Sequence, residues 1–293
     1  MKLNQVEKRL LSDNSSGSSE LAELIIQYTL SYLKQNKFDK GAISHVRDLN
    51  VVLSQKFAPM AAVINGITRT EDIINNYYYI PSNIGREIGH YLQYLKNLDG
   101  QVIKNCGRLF RRKVTIATYS NSGLIKKVLS HYKKSIRSVY VSEARPAGEG
   151  KLMAQFLAKT GINVKYSVDM LFFELMRETD CLIIGADMVG KNAFINKIGS
   201  AALLKQAAAE GVKTLVLFES TKIISDNHLQ NFRGEYNNIA VWTGKKIRRI
   251  EPINRCFEII PTRLVDYFVS DLGYDTAMSL GQHMCPPIIP QHI

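Results

Sequence analysis

At 293 residues the chain is long enough for one large or two modest domains around a substantial core. Its 45% apolar and 22% charged content is that of a soluble globular protein; no apolar run reaches the ~18 residues of a membrane span and Met1–Gly17 carries no apolar leader, so a cytoplasmic location is expected. The formal charge of +12 suits an anionic partner, whereas Cys106, Cys181, Cys256, Cys285 and the six histidines are too dispersed for a metal site, and no metal or cofactor is expected.

Residues 1 to about 105 read as helical. Asp13–Ser19 is rich in residues that cap helix starts. It caps the next helix or, through free N–H groups at a helix amino terminus, cradles a phosphate, with Ser16 and Gly17 as the candidate contacts. Glu20–Lys34 follows with Leu21, Leu24, Ile25, Tyr28 and Tyr32 on one face, the period of a helix. Further helical stretches are Asp39–Leu53, Pro59–Ile67 and Asn83–Leu98. Tyr77–Tyr79 reads as packing between helices.

From Val114 the period changes. Strand-like runs at Val114–Thr118, Ser138–Ser142, Val164–Val168, Cys181–Ile184 and Thr214–Phe218 alternate with helical runs at Gly123–Tyr132, Gly150–Lys159, Met170–Glu178 and Ser200–Glu210. Such alternation predicts a doubly wound, mostly parallel α/β sheet with helices on both faces, spanning residues 106–293 after a helical domain over 1–105. Late strands are expected at Ile239–Trp242 and Phe257–Ile260. Pro261 is expected to open a helix through Asp271, and Cys285–Ile293 to form an extended tail. No G-x-G-x-x-G follows the first strand, so a dinucleotide is not expected. The basic clusters Arg108–Lys113, Lys126-Lys127, Lys133-Lys134 and Lys245–Arg249 read as solvated faces, with nucleic-acid association as the competing reading.

The organising stretch is Cys181–Asp187 together with Asn196-Lys197-Ile198-Gly199. Cys181–Ile184 is apolar throughout, as in a strand buried on both faces, and Asp187 stands just past its carboxyl end, where α/β sheets bind ligands. Asp187 either caps a turn there or shares a crevice with Asn196 and Lys197.

These residues also carry a resemblance. Gly185-Ala186-Asp187, Asn196–Gly199, Glu143-Ala144-Arg145-Pro146 with Gly150, Thr118–Ser122 and Glu219–Lys222 run in the order of the superfamily of methylthioribose-1-phosphate isomerase and ribose-1,5-bisphosphate isomerase. The α, β and δ subunits of translation initiation factor two-B belong to the same superfamily. The likeness covers residues 114–280, and more loosely the amino-terminal part.

The resemblance implies a pocket for a phosphorylated small molecule, a Rossmann-like fold and a homodimer. It assigns the catalytic positions to Asp187 and Ser120, and substrate contacts to Arg145, Ser122, Asn196, Lys197 and Lys222. Arg145 could grip a phosphate through two parallel hydrogen bonds, with Lys197 and Lys222 as point charges and Asn196 bonded to a sugar hydroxyl. Three departures stand out. The isomerases resembled carry cysteine where this chain has Ser120, an arginine–glycine pair in the Asp13–Ser19 region, and an arginine at the position of Ala58. A serine hydroxyl ionises far less readily than a thiol and needs a neighbouring base, for which Asp187 is the candidate. The expectation is therefore an aldose–ketose isomerase on a pentose phosphate, or alternatively a non-catalytic sugar-phosphate or nucleotide sensor like the regulatory subunits of initiation factor two-B.

Overall fold

The computed structural model describes residues 3–13, 16–230, 232 and 249–283. Five helices come first: α1 (Leu3–Ser12), α2 (Ser18–Gln35), α3 (Lys40–Lys56), α4 (Ala61–Asn76) and α5 (Pro81–Asn105). Each buries one apolar face. Leu21, Ile25 and Tyr28 of α2 meet Leu10, Leu49, Leu53 and Val63, while Ile26 and Leu33 meet Val46, Ile74, Ile84 and Ile88. Asp39 caps α3 by accepting the Ala42 N–H at 2.7 Å, and Pro81 stands in the first turn of α5, where its missing N–H costs nothing.

The rest alternates as the sequence predicts. It runs β1 (Val114–Thr118), α6 (Gly123–His131), β2 (Ile136–Ser142), α7 (Gly150–Lys159), β3 (Val164–Ser167), α8 (Asp169–Leu175), β4 (Cys181–Gly185), β5 (Met188–Val189) and β6 (Ala193–Lys197). Then come α9 (Ser200–Ala209), β7 (Lys213–Leu217), α10 (Asp226–Gln230), β8 (Phe257–Pro261), β9 (Tyr267–Val269), β10 (Tyr274–Asp275) and α11 (Ala277–His283). The main sheet has the order β10-β9-β7-β4-β1-β2-β3 and is parallel except for β10. Its central strands β1 and β4 are buried residue for residue, which explains their unbroken apolar runs. One face packs Ile116, Ile183 and Leu215 against α5, α6 and α7; the other packs Leu182, Ile184 and Val216 against α9. The chain winds from β1 out to β3 and returns to β4 on the other side of β1. The loops after β1 and β4 therefore diverge and leave a crevice.

Asn196 and Lys197 lie outside the main sheet, on β6 of a second, antiparallel sheet, β5-β6-β8, which also takes in the expected Phe257 strand. Met188 and Ile195 of this sheet bury against Ala61 of α4 and so tie it to the helical layer. The helix expected over 261–271 is a short 3-10 turn, Thr262–Leu264, followed by β9. Phe268 and Val269 are fully buried in the sheet, and burial of β-prone side chains overrides the helix signal of Pro261. The expected strand Ile239–Trp242 and the tail Cys285–Ile293 lie outside the described residues, as does most of the Lys245–Arg249 cluster.

Candidate functional site

A cavity of about 420 Å³ opens at this crevice, in the range of small-molecule sites. Its floor is Gly185, Ala186 and Asp187 after β4; one wall is Tyr119–Leu124 after β1; another is Glu219, Thr221 and Lys222 after β7. The helical layer closes it with Gly17–Glu20 at the start of α2 and with Leu95, Lys96 and Asp99 of α5. Two helices thus begin at the cavity, α2 and α6. Gly17 gives α2 no side-chain cap, so its first N–H groups are free for an anion. Ser122 does cap α6, its Oγ accepting the Ile125 N–H at 3.4 Å, and so serves the helix as well as the cavity wall.

Asp187 is half-buried and lines this cavity. Burial pushes its carboxyl above the usual carboxylate range; the positive charge of Lys222, the Ser18 hydroxyl and Lys197 pull the other way, and Glu149 adds to the rise. The net shift is upward, as a group that exchanges protons near neutrality requires. Its backbone is fixed on both sides: its N–H donates to Ile195 O at 2.8 Å and its carbonyl accepts the Ala61 N–H at 3.1 Å.

Ser120 has a left-handed backbone, φ 70°, which turns it at the end of β1. Its hydroxyl donates to Glu149 Oε1 at 2.9 Å, and Lys197 Nζ lies 2.6 Å from the same oxygen. The carboxylate hydrogen-bonded to Ser120 is thus Glu149, whereas the sequence reading offered Asp187 as its neighbouring base. Lys197 is only 6% exposed at its side chain and does not line the cavity; it pairs with Glu149, and its charge reaches Asp187 at the cavity floor. Asn196 lines the cavity but its amide nitrogen is committed to Ser200 Oγ at 2.9 Å, which in turn donates to Lys197 O at 2.6 Å, fixing the start of α9. Between them Gly199 turns with φ 97°, where a Cβ would stand 2.9 Å from the Tyr119 hydroxyl.

Lys222 pairs with Glu219 at 3.2 Å, both buried. Burial raises Glu219, but Lys222 and hydrogen bonding outweigh it, and its carboxyl lies below the usual range. The loop that carries them is held by the helical layer. Asn65 of α4 donates from its amide nitrogen to Thr221 O at 2.6 Å and Ile223 O at 2.9 Å. Lys127 pairs with Asp99 across the mouth.

The cavity is polar and incompletely satisfied. Two buried side-chain atoms at or beside it have no hydrogen-bond partner among the described residues: Asn121 Oδ1 in its lining and Glu149 Oε2 next to Ser120. The Ser18 hydroxyl acts on Asp187 and the Ser19 hydroxyl on Glu219, whose Oε2 is paired with Lys222. A buried polar atom left unpaired costs about 1–3 kcal/mol, so both open acceptors suit a polar ligand.

Besides Lys197, two sequence candidates lie outside the cavity lining. Arg145 is exposed, and its backbone N–H is held by Asp169 at 2.8 Å, but it is not part of the lining. Ser16 turns away to Asp13, donating from Oγ to Oδ2 at 2.7 Å and from its N–H to Oδ1 at 2.9 Å, which is a local turn. Sequence reading missed Ser18, Ser19 and Glu149. The serines carried a signal, since they directly follow Gly17 at the helix start.

A model of the Initiation factor 2 subunit family matches residues 17–276. The chain is 32% identical over 146 residues to a ribose 1,5-bisphosphate isomerase of Thermococcus kodakarensis, covering 46% of this chain and 44% of that one. It is 30% identical over 168 residues to a methylthioribose-1-phosphate isomerase of Ectopseudomonas mendocina, covering 53% and 47%. The matched part of the chain thus spans about half the length of these curated relatives. In structure it resembles the 5-methylthioribose 1-phosphate isomerase of Pyrococcus horikoshii OT3, with a TM-score of 0.78, 18% identity and coverage of 96% of this chain and 86% of the other. It also resembles the translation initiation factor eIF-2B of the same organism, with a TM-score of 0.74, 19% identity and coverage of 93% and 96%. These likenesses extend over the helical layer as well as the sheet. With its fold, its crevice and its ordered motifs, the chain belongs to the Initiation factor 2 subunit family.

Proposed function

We propose that the switch-point cavity binds a phosphorylated pentose and interconverts its aldose and ketose forms. The observation that carries this reading is Asp187, a carboxyl raised by burial at the floor of a polar cavity. The reaction takes a proton from one carbon, returns it to the neighbouring carbon, and shifts protons between the attached oxygens. Asp187 suits the carbon-bound proton, because a raised carboxyl both accepts and returns it. Ser120, hydrogen-bonded to Glu149, suits the oxygen-bound one. The free N–H groups of α2, the Ser18 and Ser19 hydroxyls and Lys222 suit the phosphate. Arg145 lies outside this set, so the phosphate role the sequence reading gave it passes to these groups.

A second reading is a non-catalytic sensor of the same ligand class. Ser120 favours it, since the isomerases resembled have cysteine there. The two separate in one experiment. The purified protein is incubated with ribose 1,5-bisphosphate and with methylthioribose 1-phosphate, and turnover is followed by NMR beside a thermal-shift titration. Turnover abolished by Asp187→Asn supports the isomerase. A thermal shift without turnover supports the sensor, and neither response refutes both. We further propose a homodimer through α8 and the β3 edge, where Val168, Met170 and Leu171 are 54%, 79% and 45% exposed.

A further inference from the structure

The opposite rim of the main sheet carries a second cavity, about 430 Å³, that the function proposed above does not use. It lies at the amino ends of the strands, bounded by Val114 of β1, Asp180 just before β4, Lys213 and Leu215 of β7, and Tyr267 of β9, with Tyr274 of β10 beside it. The 3-10 turn Cys106–Arg111 that links α5 to β1 supplies Arg108 and Arg111, and Arg112 follows directly. Four cations therefore converge on one concavity with a single carboxylate.

That carboxylate is already engaged. Asp180 Oδ2 accepts the Thr115 N–H at 2.7 Å and Arg137 Nη1 at 3.2 Å. Among the described residues no carboxylate lies within ion-pair distance of Arg108, Arg111, Arg112 or Lys213. Two of the cations are oriented by aromatic faces: Arg108 lies 5.7 Å from the Tyr274 ring centroid and Lys213 6.0 Å from that of Tyr267. The two rings brace each other with centroids 5.1 Å apart. A cation held on a ring face, as Arg108 and Lys213 are, loses little freedom when it grips an anion, and the guanidinium forks match phosphate oxygens.

We propose that this cavity is a binding site for a small polyphosphate anion, recognised through its diphosphate group. Several phosphate oxygens in a row would answer three guanidinium groups and an ammonium, where a monophosphate would leave most of them unmatched. A nucleic-acid backbone is disfavoured because the arginines converge on one concavity, whereas a strand needs cations spaced along its path. The diphosphate group can belong to an inorganic diphosphate or to a nucleoside polyphosphate, and the site stands on the far side of the sheet from Asp187.

The test is isothermal titration calorimetry of the full chain with inorganic diphosphate, ATP, adenosine and an RNA oligomer. Diphosphate and ATP should bind and adenosine should not. Equal affinities would name the diphosphate group as the whole determinant, and tighter ATP would add the nucleoside; both support the site. Arg111→Ala/Arg112→Ala, with both residues exposed, should weaken binding at least about tenfold for each lost charge-assisted contact. The same variant should leave pentose-phosphate thermal shifts unchanged, so failure here is distinct from failure of the isomerase reading. Arg108→Ala provides a second variant. Absent binding of both polyphosphates, binding indifferent to these variants, binding of adenosine alone, or a preference for an RNA oligomer over ATP would each overturn the proposal.

Discussion

Removing the Glu149 carboxylate should cost the fold more than any other single change around the cavity. Glu149→Ala leaves the Lys197 ammonium, 6% exposed, without the oxygen now 2.6 Å away. Breaking one side of a buried ion pair costs about 3–5 kcal/mol, because the surviving charge stays desolvated. The low end applies here, since the Asp187 carboxylate also attracts Lys197 and offers partial replacement. A loss of about 3 kcal/mol should lower Tm by on the order of 6–10 °C in a chain of this size. Glu149→Gln keeps an acceptor for the Ser120 hydroxyl and should fall between. Glu149→Ala/Lys197→Met removes both charges and should recover much of the loss, giving a coupling energy of about 1–3 kcal/mol. Circular dichroism during thermal and urea unfolding measures the parent, Glu149→Ala, Glu149→Gln, Lys197→Met and the double variant. A Tm change below about 2 °C for Glu149→Ala, or strict additivity in the double variant, would refute the buried pair and with it the role given to Glu149.

Asp187→Asn should abolish turnover by about 10²–10⁴-fold while ligand-induced thermal shifts persist. The same variant should be more stable than the parent at neutral pH: a raised folded-state carboxyl means that ionisation opposes folding, so stability falls as pH rises from the unfolded value through the folded one. The gain should shrink on acidification toward the unfolded value, and a gain independent of pH would count against a desolvated Asp187. Ser120→Cys should raise turnover in a steady-state assay, because a thiol ionises more readily at nearly the same volume; unchanged or lower turnover would remove Ser120 from the chemistry. Gly199→Ala should lower the urea midpoint by an amount equivalent to about 2 kcal/mol, since φ 97° disfavours any Cβ and the Tyr119 hydroxyl, bonded to Ile198 O at 2.7 Å, stands in its way.

The parts of the fold that were readable are those in which burial and periodicity agree. Cys181–Ile184 is apolar at every position because both faces of β4 are covered, and Gly150–Lys159 keeps its helical stripe from end to end. The small sheet was unreadable for the opposite reason. Ala193–Lys197 mixes three apolar residues with an amide and a cation, and its pairing with β5 and with Phe257–Pro261, far away in sequence, makes it a strand. At the site, Asp187 was visible because it ends an apolar run. Glu149 was not, because its inward turn depends on the Arg145–Gly150 loop. There a Cβ on Gly150 would collide with Ser142 O at 1.7 Å, so the glycine lets the loop fold tightly back on β2. Arg145 illustrates the converse: its residue type suggested phosphate, and the loop instead leaves it exposed.

Asn65 has a consequence of a different kind. Its one amide group spans the carbonyls on either side of Lys222, so the cation that faces the ligand rides on a helix of the amino-terminal layer as well as on the sheet. Docking of that layer and occupancy of the cavity are then linked equilibria. By reciprocity, whatever factor docking adds to ligand affinity, the ligand adds to docking. Amide hydrogens of α4 should exchange more slowly when the cavity is filled, and a change that loosens α4 should be felt as weaker binding with no cavity residue altered.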